Sequence, residues 1–109
     1  MKYNAIFELM EMLKNADIPF ESKEHFDGYC VYYPRYGRMN YGCKCSVAEH
    51  EYTYGHEEDK LEIMGLLTEE EANADTGGSF AVAGYLTATD VFNRIKNDYK
   101  ERQSDGKKR

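Results

Sequence analysis

Two cysteines and two histidines lie close together in the middle of the chain, and thiolates and imidazoles are common ligands of zinc. They are Cys43, Cys45, His50 and His56, with the spacing C-x-C-x4-H-x5-H. This spacing is not a standard pattern for structural zinc. If the segment around Cys45 is a strand, Cys43 and Cys45 share one face and His50 lies on the other. We therefore predict no metal site, with Cys45 semi-buried and the two histidines on the surface.

A set of carboxylates is the second candidate for chemistry, because such groups can hold a divalent metal ion. Asp27 precedes one predicted strand, and Glu49 and Glu51 share a face of another. Metal-dependent nucleases of restriction-enzyme type carry an acid followed by D/E-x-K, but here Glu51 stands at the lysine position. Without that cation to stabilise transition-state charge, the pattern is incomplete. We predict no catalytic residue, no cofactor and no enzymatic activity, and a metal-dependent hydrolase is the least supported alternative.

The segment 34–43 combines arginine and tyrosine with two glycines, and we interpret it as a long loop. Its candidate binding residues are Arg35, Tyr36, Arg38 and Tyr41. Tyrosine and arginine are enriched at binding hot spots, and they also stack on bases and pair with phosphates. A nucleic-acid or nucleotide-binding module is therefore an alternative function, and a hairpin loop without a role is another interpretation.

Negative charge is concentrated in residues 49–75, which contain ten acids and a single lysine, Lys60. Carboxylates along a strand and a helix can imitate phosphates and occupy a cationic groove of another protein, where tyrosines would add apolar contacts. A solvated helix face is the common alternative for such a run. The residues of this run that we expect to bind a partner are Glu49, Glu51, Tyr52, Tyr54, Glu57, Glu58, Asp59 and Glu62.

The composition limits the size and class of the molecule. With 109 residues, we expect one domain over residues 1–102 and a disordered basic tail over residues 103–109. The net charge of −6 argues against a general nucleic-acid binder, which would be basic. Three cysteines, no visible signal peptide and no segment long enough to span a bilayer favour reduced thiols in a cytoplasm.

The first half of the chain predicts one helix and three strands. Helical spacing of Ile6, Leu9, Met10 and Leu13 predicts a helix over residues 3–16. Strands are expected over residues 19–23, 29–33 and 44–50, with a turn over residues 25–28. Because Pro19 favours a sheet edge, the first strand could also pair two copies of the chain, so a homodimer is possible.

The second half of the chain predicts helices. Three acids at residues 57–59 suit a first helical turn, with Gly65 after its end, although Leu61 and Ile63 also permit a short strand. Capping boxes at residues 68–71 and 87–90 predict helices over residues 69–74 and 88–102, with a loop over residues 73–80. The last helix should bury Val91, Phe92, Ile95 and Tyr99.

The predicted fold class is α+β, with a three-stranded antiparallel sheet packed by helices in the order α-β-β-β-α-α. Double-stranded RNA-binding domains share the order α-β-β-β-α. However, this chain has acids at residues 57–59, where such a domain needs lysines to contact phosphate. The shared order therefore does not imply RNA binding.

Several phrases of the sequence resemble small proteins encoded in prophages and mobile elements of gut Firmicutes. These phrases cover residues 18–21, 45–50, 54–55, 61–68 and 84–92, where the chain reads IPFE, CSVAEH, YG, LEIMGLLT and GYLTATDVF. The resemblance brings no catalytic residues. It implies an inhibitor of host defence in a bacterial cytoplasm, such as an anti-CRISPR protein that blocks a Cas effector. A host protein with a basic groove is then the expected partner, and no membrane is involved.

Overall fold

The computed structural model describes residues 3–39, 41–74 and 81–107 and has an α+β fold with an antiparallel sheet. Within these ranges the sheet has five strands instead of the predicted three, and they lie side by side in chain order. The strands are β1 (Glu21–His25), β2 (Gly28–Met39), β3 (Tyr41–Glu49), β4 (Leu61–Met64) and β5 (Ala83–Leu86). The helices are α1 (Ala5–Asn15), α2 (Glu69–Ala74) and α3 (Ala88–Lys107), so the order is α-β-β-β-β-α-β-α.

The helix predicted from residue 57 onward is wrong, because the chain forms a short 3-10 turn at His56–Glu58 and then enters β4. Leu61 and Ile63 are both buried on the sheet face that forms the core, and Ile63 lies opposite Val47 of β3. Pairing with β3 and burial of these two side chains outweigh the local preference of acids for a helix start. Gly65 does have a positive φ of 93°, and a Cβ there would lie 2.1 Å from the Lys44 carbonyl oxygen.

Strand β5 lies in a segment for which no strand was predicted. It pairs with β4, with Leu86 opposite Leu61 and Ala83 opposite Ile63. Its four residues carry little periodicity, and their pairing depends on β4, which the sequence argument had placed in a helix. Residues 75–80 of the predicted loop lie outside the described residues.

The second predicted strand is too short, because β2 continues through Pro34, after a cis peptide bond, to Met39. It pairs with β3 almost to the hairpin tip, where Arg38 lies opposite Tyr41, although the register shifts after Tyr33. The tyrosine- and arginine-rich segment is therefore two arms of a hairpin instead of an open loop. Strand β1 lies at one edge of the sheet, as Pro19 suggested, and all its residues are exposed.

Helices α1 and α3 cover one face of the sheet and enclose the core. The side chains predicted to face the core from α1, Ile6, Leu9, Met10 and Leu13, are all buried. From α3, Val91 and Ile95 are fully buried, and Phe92 and Tyr99 pack against the core at its margin. Helical periodicity was therefore a reliable guide to these two elements.

Both predicted capping boxes are present at the helix starts. Thr68 N–H donates to Glu71 at 2.8 Å and Glu71 N–H donates to the Thr68 hydroxyl at 3.1 Å. Thr87 and Asp90 exchange the equivalent bonds at 3.2 and 3.1 Å. Helix α3 reaches Lys107, beyond its predicted end at residue 102, and residues 108–109 of the predicted tail lie outside the described ranges. Among the helices described here, each is too short or too polar to cross a membrane.

Candidate partner-binding site

The two segments predicted to bind a partner lie at opposite ends of the β2–β3 hairpin. Tyr29 at the start of β2 lies opposite Glu49 at the end of β3, whereas Arg38 and Tyr41 meet at the hairpin tip. Since β2 has 12 residues, the two ends are separated by at most roughly 40 Å. We call the first the acidic end: it consists of the Phe26–Asp27 turn, residues 50–60 between β3 and β4, and Tyr85 of β5, which packs on that connection.

Four aromatic side chains are exposed together at the acidic end. Phe26 and Tyr52 are 63% and 68% exposed, and their ring centroids are 4.8 Å apart in an edge-to-face arrangement. Tyr54 is 63% exposed and Tyr85 is 49% exposed, and the Tyr85 N–H donates to the Tyr54 carbonyl oxygen at 3.3 Å. Exposed aromatic side chains of this size are enriched at binding sites, so this end has the composition of a binding surface.

Backbone and side-chain hydrogen bonds hold the connection of the acidic end in one shape. His50 and Thr53 form a closed turn in which each N–H donates to the other residue, at 3.2 and 3.0 Å. Asp27 accepts from the Glu51 N–H at 2.8 Å, which ties this turn to the one between β1 and β2. Lys60 N–H donates to the Gly55 carbonyl oxygen at 3.0 Å. A surface held in this way loses little conformational entropy when it binds a partner.

Three carboxylates of the acidic end are exposed and face solvent beside the aromatic rings: Glu51, Glu57 and Glu58. Glu57 accepts a 2.5 Å hydrogen bond from the Tyr85 hydroxyl, and this bond lowers the pKa of Glu57 and raises that of Tyr85. Glu58 lies 3.3 Å from Lys60. Acidic side chains therefore outnumber basic ones on this surface.

Glu49 and Asp59 do not belong to the exposed surface, because they hold the N-terminus of α1. Asn4 at that terminus makes no side-chain cap, and instead Asp59 accepts from the N–H groups of Asn4 and Ala5 at 2.8 and 3.1 Å. Glu49 is fully buried and accepts from the Ile6 N–H at 3.1 Å. The sequence prediction that Glu49 contacts a partner is corrected here, since its side chain cannot reach one.

The buried carboxyl of Glu49 and its neighbour Asp59 share one proton at neutral pH. Burial, followed by the hydrogen bond with Asp59, raises the pKa of Glu49 to about 8, so Glu49 is mostly protonated at neutral pH. Burial also raises the pKa of Asp59, but the hydrogen bonds from Glu49 and from two backbone N–H groups outweigh it and lower that pKa. Within the described residues Glu49 Oε2 is buried and has no hydrogen-bond partner. An ionised carboxylate would leave this oxygen unsatisfied, which also favours the protonated form of Glu49.

Glu62 is less exposed than Glu51, Glu57 and Glu58 but is not fully buried like Glu49. It lies on β4, and its carboxylate accepts from the Tyr54 N–H at 3.1 Å. Burial raises its pKa. This side chain therefore positions the Tyr54 backbone, and it is only partly exposed to a partner.

The tyrosine and arginine residues that the sequence grouped together make different contacts along the hairpin. Tyr36 packs its ring 4.9 Å from that of Tyr32, and Lys23 lies over it at 4.2 Å. Arg38 lies 5.7 Å from the Tyr41 ring at the hairpin tip. Arg35 instead lines a pocket together with residues of β3 and α3. The contacts differ from one side chain to the next, and a joint role of these four residues in binding stays a prediction.

The candidate metal ligands are distributed over the fold. Cys45 is buried in the core, where burial raises the pKa of its thiol to about 12, and burial also raises the pKa of Cys43. His50 and His56 lie in the connection beyond the far end of β3. The prediction that both are on the surface is wrong for His50, which is buried in the closed turn with Thr53. Across residues 3–39, 41–74 and 81–107, no group of three His, Cys, Asp or Glu side chains is placed to hold a metal ion. Among the proposed hydrolase carboxylates, Glu49 is turned inward to α1, away from Glu51.

Comparisons with protein-family models, with curated proteins and with solved structures found no match to this chain. The case for a binding site therefore depends on its geometry.

Sequence reasoning missed two of the four exposed aromatic residues, Phe26 and Tyr85. Both have positive φ values, of 55° and 58°. Phe26 was assigned only to a turn, yet a large apolar residue at a turn is itself unusual and could have been noticed. Tyr85 joins the surface through β5, whose pairing the sequence did not reveal.

Proposed function

We propose that the chain is a protein-binding module whose acidic end docks on a basic surface of a partner protein. The observation that carries this proposal is the placement of four exposed aromatic rings and three exposed carboxylates on one rigid end of the sheet. Aromatic residues supply most of the affinity at such surfaces, and the carboxylates attract and orient a cationic partner.

The partner we propose in more detail is a protein that normally binds nucleic acid in a cationic groove. Glu51, Glu57 and Glu58 would occupy positions of phosphate groups in that groove, while the rings of Tyr52 and Phe26 would pack where bases or apolar groove residues lie. Occupation of the groove would inhibit the partner. A nuclease-based defence effector, such as a Cas protein, fits this description and is the specific form of the proposal.

The experiment compares wild-type protein with two charge-reversal variants in a pull-down from a Firmicute lysate that contains a CRISPR effector. The test variant is Glu51→Lys with Glu57→Lys and Glu58→Lys. It leaves Asp59 intact, because this residue caps α1 and its replacement would disturb folding. The matched control is Glu69→Lys with Glu70→Lys, which reverses exposed charges on α2, away from the acidic end.

We expect wild type and the α2 control to retain the same basic protein after nuclease treatment, and the test variant to lose it. Purified effector should then lose nuclease activity in the presence of wild type, in a salt-dependent manner. Equal retention by the test variant would refute docking through the acidic end. Retention that disappears with nuclease treatment would instead support the alternative nucleic-acid-binding function.

A further inference from the structure

The end of the sheet opposite the acidic end contains a pocket lined with cationic residues, which we call the basic pocket. Its volume is about 390 Å³, and it lies between the hairpin and the C-terminal half of α3. The residues that line it are Pro34, Arg35, Gly42, Cys43, Lys44 and Arg102. A volume of this size falls at the lower end of the range of roughly 300–1,000 Å³ that small-molecule sites occupy.

The positive charge of the basic pocket is not balanced by the carboxylates around it. Within the described part of the chain, Arg35 and Lys44 have no carboxylate within ion-pair distance, whereas Arg102 Nε lies 2.9 Å from a carboxylate oxygen of Asp98. Three cationic residues and one carboxylate leave two positive charges unbalanced. Like charges repel one another in this arrangement, so an anion that enters the pocket relieves the repulsion.

Guanidinium N–H groups of Arg35 and Arg102 remain available to hydrogen-bond an anion in the pocket. Asp98 engages the Nε atom of Arg102 and also accepts from the Tyr33 hydroxyl at 2.6 Å, which holds the carboxylate at the pocket edge. Its position leaves the two terminal nitrogens of the Arg102 guanidinium without a hydrogen-bond partner among the described residues. The Arg35 side chain packs beside Gly42, where a Cβ would lie 3.1 Å from Nε, so any larger residue at 42 would crowd this guanidinium.

We propose that the basic pocket binds a phosphoryl group. Forked guanidinium donors match the oxygens of phosphate in pairs, and a lysine adds charge without directional demands. In the described residues, no aromatic side chain lines the pocket. Recognition is therefore of the phosphoryl group itself and not of a stacked base. Such a group occurs both on small phosphorylated compounds and on nucleic acid.

The test uses sodium pyrophosphate as the probe, followed in ¹H–¹⁵N correlation spectra of the full chain at low ionic strength. We expect saturable shifts that centre on Arg35, Gly42, Cys43 and Lys44. The double variant Arg35→Ala with Lys44→Ala should bind at least about 10-fold more weakly. The matched control, Lys14→Ala with Lys96→Ala, removes two charges elsewhere and should change the affinity less than 2-fold. The spectra themselves report whether each variant is folded.

Two further probes distinguish the sources of the phosphoryl group. An oligothymidylate with a 5′-phosphate and the same oligonucleotide without it are each used to displace pyrophosphate. Displacement by the phosphorylated strand alone assigns the pocket to a terminal phosphate, and equal displacement by both assigns it to a nucleic-acid backbone. The proposal is overturned if no saturable binding occurs, or if both double variants weaken binding equally. This site and the acidic end lie at opposite ends of the hairpin, so either can fail alone.

Discussion

The acidic end and the basic pocket differ in how much of their charge is used inside the fold. In and next to the acidic end, the carboxyl groups of Glu49 and Asp59 accept from the first N–H groups of α1, and Glu62 accepts from the Tyr54 N–H. At the basic pocket, one cation of three has a carboxylate partner in the described chain. The acidic region of the sequence therefore uses several of its carboxyl groups inside the fold, whereas two of the three cations at the basic pocket have no carboxylate partner in the described chain.

This difference shows that charge density along a sequence is a poor measure of charge at a surface. A carboxylate beside a helix N-terminus is attracted by free N–H groups and can become structural. Beside strands, the backbone N–H and C=O groups are already paired with each other. A cationic side chain there finds no free backbone acceptor and stays free to bind an anion.

The largest effect on stability is expected from charge reversal at Glu49, the last residue of β3, and it contrasts with the same change at Glu51 in the next connection. Glu49→Lys places an ammonium group in a buried site, removes the acceptor of the Ile6 N–H and should destabilise the fold by about 4 kcal/mol or more. Glu51→Lys changes an exposed side chain two residues away and should change the free energy of unfolding by less than about 0.5 kcal/mol. Urea unfolding measures both. Similar values for the two variants would contradict the division between structural and available acids.

A smaller effect is expected from the two ion pairs that involve α3. Arg94 holds Glu71 with two hydrogen bonds of 2.6 and 2.8 Å, and it also donates to the Leu66 carbonyl oxygen. Glu71→Gln should therefore destabilise the fold by about 1.5–3 kcal/mol. Arg102→Ala breaks a single contact of a side chain that is 44% exposed and should cost at most about 0.5 kcal/mol. Thermal unfolding of the two variants tests this order, and a larger loss for Arg102→Ala would reverse it.

Acid should weaken the same Glu71 contact. The hydrogen bond from Arg94 lowers the pKa of Glu71 to about 2, although partial burial acts in the opposite direction. Because this pKa lies below the ordinary value of 4.5, the stability it confers is present above about pH 4.5 and is lost as the pH falls toward 2. Glu71→Gln should remove this part of the acid sensitivity, which urea midpoints at acidic pH would show.

The buried pair at the start of α1 predicts the opposite pH dependence near neutrality. The pKa of Glu49 is raised from 4.5 to about 8, so the folded chain binds more protons than the unfolded chain between these values. Its contribution to stability is therefore complete below about pH 4.5 and falls as the pH rises to about 8. Asp59 does not contribute in this window, since its pKa is lowered from 3.8. Urea midpoints should fall with rising pH in wild type and less steeply in Glu49→Gln; parallel profiles would contradict the shared proton.

The sequence was sufficient for those parts of the fold that local patterns determine. Helical spacing located α1 and α3, and the T-x-x-E and T-x-x-D patterns located the starts of α2 and α3. The five-stranded sheet was not predictable in the same way, because β4 and β5 are four residues each and are stabilised by pairing with distant strands. The burial of Glu49 did leave a signal: it continues the alternation of Cys45 and Val47, and these three side chains share the core face. Its proton-sharing partner Asp59 comes from a different element, and no local pattern indicates that contact.

A small effect on stability, with a large effect on binding, is expected at the turn of the acidic end. Phe26 is 63% exposed and has a left-handed backbone, a conformation that costs a bulky residue about 1–2 kcal/mol and that asparagine tolerates better. Phe26→Asn loses ring contacts with His50 and Tyr52 but relieves this strain, so the free energy of unfolding should change by less than about 1 kcal/mol. Affinity for the docking partner should fall at least about 10-fold, since an exposed aromatic anchor is removed.

The control variant is Tyr41→Ala at the hairpin tip, which removes a ring that is 77% exposed and should leave that affinity unchanged. If Phe26→Asn unfolded the chain, the ring would be a structural residue of the turn; if both variants bound the partner equally well, the exposed rings of the two ends would not differ in function.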